Sequence, residues 1–275
     1  MPQPQQFWRR LDGKVVIVTG AGSQGAGFGT GKAISCLFAR EGARVCLVDR
    51  ERARAEETLT LIRAAGGDAF VCAADVTRAE DCARCVQETL ERYGALHALV
   101  NNVGIGAGGG KLEQIDEALW DKVFDINLRS VYLMCRQAMP HLAAARGALV
   151  NIASIAGLRA LGAPAYGSSK AALVQLTREL ALVYGRDGVR ANAIAPGHLF
   201  TPLVHGMLDE AARRRRSGIA PLGAEGDAWD VAAAALFLAS DEARFISGTC
   251  LPVDGGVTAT GALAMHEMML KETQT

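Results

Sequence analysis

Tyr166 and Lys170 stand four residues apart in the run Tyr166-Gly167-Ser168-Ser169-Lys170. On a helix that spacing places both side chains on one face, within a few ångströms of each other. A phenol ionises near pH ~10 in water, and proton transfer near neutrality is easier when a cation stabilises the phenolate. Lowering its pKa to about 7 takes roughly 4 kcal/mol, within reach of a close ammonium plus the charge of a bound cofactor in a sheltered site. Ser154 closes the stretch Asn151-Ile152-Ala153-Ser154 and can hold the oxygen of a substrate. By itself a Tyr-x-x-x-Lys pair is a common helix-surface pattern. Its meaning depends on what else the chain carries, and in what order.

A second cluster lies near the start. Val15-Val16-Ile17-Val18 is followed by Thr19-Gly20-Ala21-Gly22-Ser23-Gln24-Gly25-Ala26-Gly27-Phe28-Gly29-Thr30-Gly31, and a helical pattern takes over at Lys32. Missing side chains let the backbone approach a pyrophosphate, and a helix start offers unpaired N–H groups and a positive dipole end. The context is the required one: a strand before, a helix after, and a second strand ending in Asp49. An acidic side chain there accepts hydrogen bonds from the adenosine ribose hydroxyls and repels a 2′-phosphate, so NAD is expected rather than NADP. Arg50, the next residue, pulls the other way. Loop, acidic strand end, serine and Tyr/Lys pair, in that order, predict hydride transfer to or from a carbonyl.

The elements that must position these groups follow from the alternation of short β-branched runs with helical stretches. Val15-Val16-Ile17-Val18, 45–48, 69–72, 98–100, 148–150 and 189–194 read as buried strands. Helical spacing occupies 31–41, 51–65, 78–93, 117–144 and 165–185. Such alternation predicts an α/β fold, a doubly wound parallel sheet covered by helices on both faces, with ligands beyond the carboxyl ends of the strands. With 275 residues, 50% of them hydrophobic, and no linker or repeat, one domain is expected.

Charge and cysteine usage narrow the partners. The 29 basic and 29 acidic residues cancel, which leaves no general field for nucleic acid or an anionic membrane and points to small-molecule partners. The only basic cluster, Arg213–Arg216, reads as a solvated helix face. No apolar run reaches the ~18 residues of a membrane span, and Met1-Pro2-Gln3-Pro4-Gln5-Gln6 has no signal pattern, so a cytoplasmic protein is expected. Among seven cysteines, Cys36, Cys46, Cys72, Cys135 and Cys250 sit in apolar surroundings and read as reduced core thiols. Cys82-Ala83-Arg84-Cys85 has redox or half-zinc spacing but no second pair and no nearby histidine, and is read as structural.

Taken together, these marks resemble the short-chain dehydrogenase/reductase family over residues 12–256, with 257–275 as a C-terminal extension. Thr19-Gly20 matches the opening of its coenzyme loop, Asp75-Val76 its adenine-contacting pair, and Asn101-Asn102-Val103-Gly104 its Asn-Asn-Ala-Gly signature. Pro196-Gly197, Leu199 and Thr201-Pro202 match the segment that meets the nicotinamide carboxamide, and Val253-Asp254-Gly255-Gly256 the closing motif. The resemblance implies a three-layered Rossmann-type fold in which Tyr166 exchanges the proton with the substrate oxygen. It further implies that Lys170 lowers the tyrosine pKa and binds the nicotinamide ribose, that Ser154 positions the substrate, and that Asn127 links Lys170 to solvent through water. The implied coenzyme site comprises Gly20, Gly22, Ser23, Gly29, Thr30, Asp49, Arg50, Asp75, Val76, Asn102, Gly104, Tyr166, Lys170, Pro196, Gly197, Leu199 and Thr201. No metal is implied, and a homotetramer assembled through the helices carrying Asn127 and Tyr166 is expected.

Several departures stand out. The glycine loop is about five residues longer than in the family, at Gln24–Phe28, either bulging over the pyrophosphate or looping into solvent; Gly29 and Gly31 take the places of the later glycines. Val103 replaces the usual alanine. By position Ile105, Ile155, Arg159, Leu161, His198 and a lid over Leu203–Ser217 are expected to line the substrate pocket, with Arg159 and His198 read as surface side chains ahead of substrate contacts, while His97, His141 and Trp229 are assigned to packing. His205 reads as a surface residue, and the tail Met265–Leu270 as the cover of a subunit contact. The competing readings are a non-catalytic dinucleotide-binding protein, an NADP-dependent ketoreductase, and an enoyl reductase or epimerase. Enoyl reductases of the superfamily space their Tyr and Lys more widely, and sugar-nucleotide epimerases carry a longer substrate domain.

Overall fold

The computed structural model describes residues 9–205 and 208–272, except for the side chains of Leu203, His205, Ala262, His266 and 270–272. Met1–Gln6 and part of the expected lid therefore lie outside the described residues. Seven strands form one sheet: β1 Val15–Thr19, β2 Arg44–Asp49, β3 Asp68–Ala73, β4 Ala98–Asn101, β5 Ala148–Ile152, β6 Arg190–Pro196 and β7 Cys250–Val253. Their order is β3-β2-β1-β4-β5-β6-β7, and every pairing is parallel. The inner strands read as unbroken apolar runs because both faces of the sheet are covered.

Ten α-helices lie among the described residues: α1 Thr30–Arg40, α2 Arg52–Ala64, α3 Ala79–Tyr93, α4 Glu117–Phe124, α5 Ser130–Ala145, α6 Pro164–Tyr184, α7 Pro202–His205, α8 Glu210–Gly218, α9 Ala228–Ala239 and α10 Ala262–Glu272. α1, α2 and α9 build one core against the sheet, and α3, α5 and α6 build the other. This is the expected three-layered, doubly wound arrangement. The strand order reverses between β1 and β4, which opens a crevice at the carboxyl ends.

The expected strands and helices are present with bounds shifted by two residues at most, save one. The stretch 117–144 is not a single helix: a π-helical turn at Asp125–Arg129 separates α4 from α5, with the Ser130 N–H donating to the Asp125 carbonyl. β7 and α9 carried no pattern that the periodicity reading could use. α9 is apolar almost all round, so it lacks the one-sided stripe that marks a surface helix. Its start is instead fixed by a capping box, in which Asp227 Oδ1 accepts the N–H groups of Trp229 and Asp230 while Asp230 Oδ2 accepts that of Asp227. His97 is structural as expected, its Nδ1 accepting the Val15 N–H at 3.0 Å.

Candidate active site

β5 delivers Ser154 to the carboxyl edge of the sheet, where its Oγ accepts the Ala156 N–H at 3.1 Å. α6 starts at Pro164, whose fixed φ and missing N–H suit a first helical turn. It carries Tyr166 and Lys170 on one face. The Tyr166 phenol is hydrogen-bonded to Ser154, and Lys170 Nζ lies 5.9 Å from the centre of the tyrosine ring. Lys170 is 3% exposed and donates to the Ile152 carbonyl at 2.9 Å. Gly104 makes room for it: a Cβ there would stand 3.0 Å from Lys170 Nζ and 3.3 Å from Asn127 Oδ1.

Asn127 sits on the π-helical turn and is fully buried. Its Oδ1 accepts the Ile105 N–H at 2.8 Å, and its Nδ2 donates to the Ile105 carbonyl and to Ser169 Oγ, both at 3.0 Å. Ser169 in turn donates to the Tyr166 carbonyl at 2.7 Å. One amide thus clamps the loop after β4 to the turn of α6 between the tyrosine and the lysine. π-bulges cluster at functional sites because the change of register re-aims side chains, and here the re-aimed side chain is Asn127.

Burial pulls the Lys170 ammonium down to about 8. Burial also pushes the Tyr166 phenol above its ordinary value, with the Ser154 hydrogen bond opposing. The Lys170 ammonium donates to the Ile152 carbonyl, and at the phenol burial outweighs the Ser154 hydrogen bond.

A cleft of about 700 Å³ runs from these residues along the strand ends. Gly20, Gly22, Ser23, Gly29, Thr30, Asp49, Arg50, Asp75, Val76, Asn102, Gly104, Pro196, Gly197, Leu199 and Thr201 all line it, together with Ser154, Tyr166 and Lys170. The loops around it are cross-tied. Asp49 accepts the Gly22 N–H at Oδ2 and the Glu51 N–H at Oδ1, each at 3.0 Å. Asn102 Nδ2 donates to the carbonyls of Thr19 and Gly20, and Thr19 Oγ1 accepts the Asn102 N–H. Gly31 permits the tightest approach, since a Cβ there would lie 1.9 Å from the Gly20 carbonyl oxygen. It is the glycine that lets helix α1 pack onto the loop.

Other expectations are corrected. The extra residues of the glycine loop neither cover the cleft as a whole nor hang free: Gln24 lines it, while Phe28 packs on Trp229 with ring centres 4.9 Å apart and beneath Lys32 Nζ. Arg213–Arg216 is not simply a solvated face. Arg213 Nε pairs with Glu225 Oε2 at 2.9 Å, Arg216 Nε lies 3.3 Å from Glu225 Oε1, and Arg216 reaches the cleft while donating to the Leu199 carbonyl. The buried carboxylate at residue 225 draws two of the arginines inward. Of the residues expected to line the substrate pocket, Ile105 lines the cleft, but Ile155, Arg159, Leu161 and His198 do not. Ile155 is buried, and Arg159 donates to the carbonyls of Leu158 and Thr258. Within the lid, Val204 and Arg216 line the cleft. The C-terminal extension folds back on that lid, with Met265 buried and Met269 beside Gly218 of α8.

Sequence reasoning also missed a buried polar chain linking β4, β5 and α6 near Ser154 and Lys170. Asn101 Nδ2 donates to Asn151 Oδ1, and Asn151 Nδ2 to Thr177 Oγ1, each at 2.9 Å.

A nucleotide-length cleft at the switch point of a doubly wound sheet, with a glycine loop at one end and a Ser/Tyr/Lys cluster at the other, defines a dinucleotide-dependent oxidoreductase fold. Comparison with known proteins agrees. The family model described as enoyl-(acyl carrier protein) reductase matches residues 25–258. The 2-(S)-hydroxypropyl-CoM dehydrogenase 3 of Xanthobacter autotrophicus is 36% identical over 259 residues, 91% of this chain and 98% of that protein. A short-chain dehydrogenase/reductase structure from Burkholderia xenovorans superposes with a TM-score of 0.87 at 43% identity, covering 92% of this chain and 99% of that one. A 7α-hydroxysteroid dehydrogenase solved with NADH and 7-oxo glycochenodeoxycholic acid superposes at 0.85 with 30% identity, covering 92% and 98%. The chain belongs to the short-chain dehydrogenase/reductase family, whose members are oxidoreductases that use a nicotinamide coenzyme. No helix among the described residues is long and apolar enough to cross a membrane.

Proposed function

We propose that this chain transfers a hydride between NAD and a secondary alcohol or ketone. The observation that carries the reading is the convergence of the Ser154 hydroxyl, the Tyr166 phenol and the Lys170 ammonium on the cleft end flanked by Gly104 and Pro196–Gly197. When bound, the coenzyme accepts or supplies the hydride, and its oxidised ring adds positive charge beside the phenol. Ser154 Oγ holds the substrate oxygen. In the oxidative direction Tyr166 Oη takes the alcohol proton as the carbinol carbon loses hydride; in the reductive direction it returns that proton to the oxygen. Lys170 stabilises the phenolate and anchors the ribose next to it, and Asn127 keeps the lysine end of the site in register and in reach of solvent.

NAD is favoured by Asp49, whose carboxylate is oriented by two backbone N–H groups at the adenine end of the cleft. Those donors leave oxygen lone pairs for the ribose hydroxyls and set a negative charge where a 2′-phosphate would sit. The substrate class is supported by relatives that are dehydrogenases of 2-(S)-hydroxypropyl-CoM and of a 7α-hydroxysteroid. Self-assembly through α5 and α6 is supported by Tyr132 on α5 and Leu182 and Val183 on α6, which are exposed. The family model's description raises reduction of an enoyl carbon–carbon bond as a second reading, against which stands the four-residue Tyr166 to Lys170 spacing.

The test is to follow reduced-nicotinamide absorbance with NAD or NADP against a panel of secondary alcohols, diols, hydroxysteroids and one enoyl thioester, alongside Tyr166→Phe. Turnover of alcohols with NAD that vanishes in the variant is the expected result. Turnover of the enoyl substrate alone, preference for NADP, or coenzyme binding without any turnover would each overturn part of the reading.

A further inference from the structure

Three thiols with no part in hydride transfer meet inside the core formed by α3, α5 and α6. Cys46 on β2, Cys72 on β3 and Cys85 on α3 belong to one buried cluster. The sulfurs of Cys72 and Cys85 are 2.9 Å apart. A disulfide bond is about 2.05 Å long, so the two atoms need to close by less than ~1 Å. Cys46 lies in the same cluster, close enough for Cys72 to raise its pKa, with burial the larger cause. Cys82, the other half of the Cys-x-x-Cys spacing, turns away and donates to the Val76 carbonyl at 3.3 Å.

Arg84 lies between this pair and solvent. Its Nη1 donates to Cys72 Sγ at 3.4 Å, and its Nη2 donates to the Ala73 carbonyl at 2.8 Å and to Asp81 at 2.9 Å. A guanidinium over a thiol favours the thiolate, the form that reacts. The neighbouring Cys46 and Cys85 thiols, and after them the Arg84 charge, hold Cys72 well below the ordinary thiol range, while Cys72 and burial push Cys85 well above it. The two sulfurs therefore differ as a nucleophile and a resolving thiol must. Cys72 itself is 1% exposed and the Arg84 side chain beside it is 42% exposed, so Arg84 is the group a peroxide must displace to reach the sulfur.

We infer that Cys72 and Cys85 are a dithiol that a peroxide converts to a disulfide, stapling β3 to α3 behind the adenine end of the cleft. The Cys72 thiolate attacks one peroxide oxygen; the O–O bond breaks, hydroxide leaves, and the sulfur becomes a sulfenic acid. The Cys85 sulfur then attacks that sulfur; the S–S bond forms, the S–O bond breaks, and the hydroxyl departs as water with the Cys85 proton. Two thiols lose two electrons in all, and hydrogen peroxide is reduced to two waters. The staple is one contact from the coenzyme site, because Asp81, held by Arg84, accepts the N–H of the cleft residue Asp75 at 2.9 Å.

The experiment is to treat the full-length protein with one equivalent of hydrogen peroxide, alkylate it under denaturing conditions and map tryptic peptides without reduction. Arg78 and Arg84 lie between the two cysteines, so trypsin separates them. The expected product is a Cys72 peptide linked to a Cys85 peptide and lighter by two hydrogens, with the other five of the seven cysteines alkylated. Closing a loop of this length should raise the melting temperature by several degrees, reversibly with dithiothreitol. In Cys85→Ala the link should be absent and Cys72 should be captured as a dimedone adduct. Seven alkylated cysteines after oxidation, or a link through Cys46 or Cys82 instead, would overturn the inference. If Cys85→Ala does not fold, the wild-type peptide map decides by itself.

Discussion

The two ends of the cleft are made of different material. At the Ser154/Tyr166/Lys170 end, Asn127, Ser154 and Lys170 are at most 9% exposed, and their polar atoms are tied to the backbone of neighbouring segments or to one another's supports. At the adenine end, Asp49 is held only by two loop N–H groups, and the Arg50 side chain is 65% exposed. The first end has sunk charged and polar groups into low dielectric, where they interact strongly and where each misplacement is costly. The second recognises its ligand from the rim, where water competes and the chain can adapt. Substitutions at the buried end should therefore abolish chemistry, whereas those at the open end should shift preference.

The largest effect is expected at Tyr166. Tyr166→Phe removes a phenol beside Ser154 that can exchange a proton with a substrate oxygen, and should lower kcat/KM by ~10²–10⁴-fold with coenzyme binding retained. Steady-state kinetics with coenzyme titration separate the two quantities. A variant within tenfold of wild type would place the acid–base group elsewhere.

Lys170 sharpens the comparison because its burial opposes stability. Its pKa falls from an ordinary value of 10.5 to about 8. Between those pH values the unfolded chain binds the proton and the folded chain does not, so this group makes stability rise with pH across that window; below it the folded state carries the full cost of a buried cation, about 3 kcal/mol. Lys170→Met should therefore be nearly inactive yet more stable than wild type at pH 7 by roughly 2–3 kcal/mol, with the advantage shrinking as pH approaches 10. Denaturant unfolding of both proteins at several pH values measures this. An advantage that grows with pH would show that the lysine is not held as a buried cation.

At the open end, Asp49→Ser should leave kcat with NAD within a few-fold of wild type but reduce the preference for NAD over NADP by about tenfold or more. Arg50 and Arg54 line the same part of the cleft and would face a 2′-phosphate with the opposing carboxylate gone. Ratios of kcat/KM for the two coenzymes decide it. An unchanged ratio would mean that the discrimination lies in the loop backbone and not in the carboxylate.

The same contrast explains what could be read from the sequence. The glycine loop, Asp49 and the Tyr166/Lys170 pair are local signals: each is a short run whose spacing already implies its geometry. The supports of the buried end are not local. Asn101 meets Asn151 and Asn151 meets Thr177 across 50 and 26 positions, and no spacing rule links such partners. The π-helical turn under Asn127 hides inside a continuous helical period, and α9 hides because a helix buried on most sides has no polar stripe. Arg216 looked like one member of a basic run until the fold brought Glu225 beneath it.

The smallest expected effect lies in the enlarged loop, between the two ends. Phe28 joins that loop to α9 through Trp229 and to α1 through Lys32, and one residue later Gly29 donates its N–H to Ser23 Oγ at 3.2 Å. Ser23, Gly29 and Thr30 all line the cleft, so the aromatic contact sets the loop's resting shape without touching the ligand. Phe28→Ala removes a half-buried ring and should cost about 1–2 kcal/mol of stability, less than for a fully buried phenylalanine. A looser loop must be ordered when coenzyme binds, and that ordering raises the coenzyme KM by roughly three- to tenfold while kcat stays near wild type. Trp229→Ala should reproduce the pattern, and the double variant should show less than the sum of the two effects, because either substitution alone already breaks the contact. Additive losses would mean that the ring pair does not couple the loop to α9, leaving the extra residues as a surface bulge with no hold on the coenzyme end.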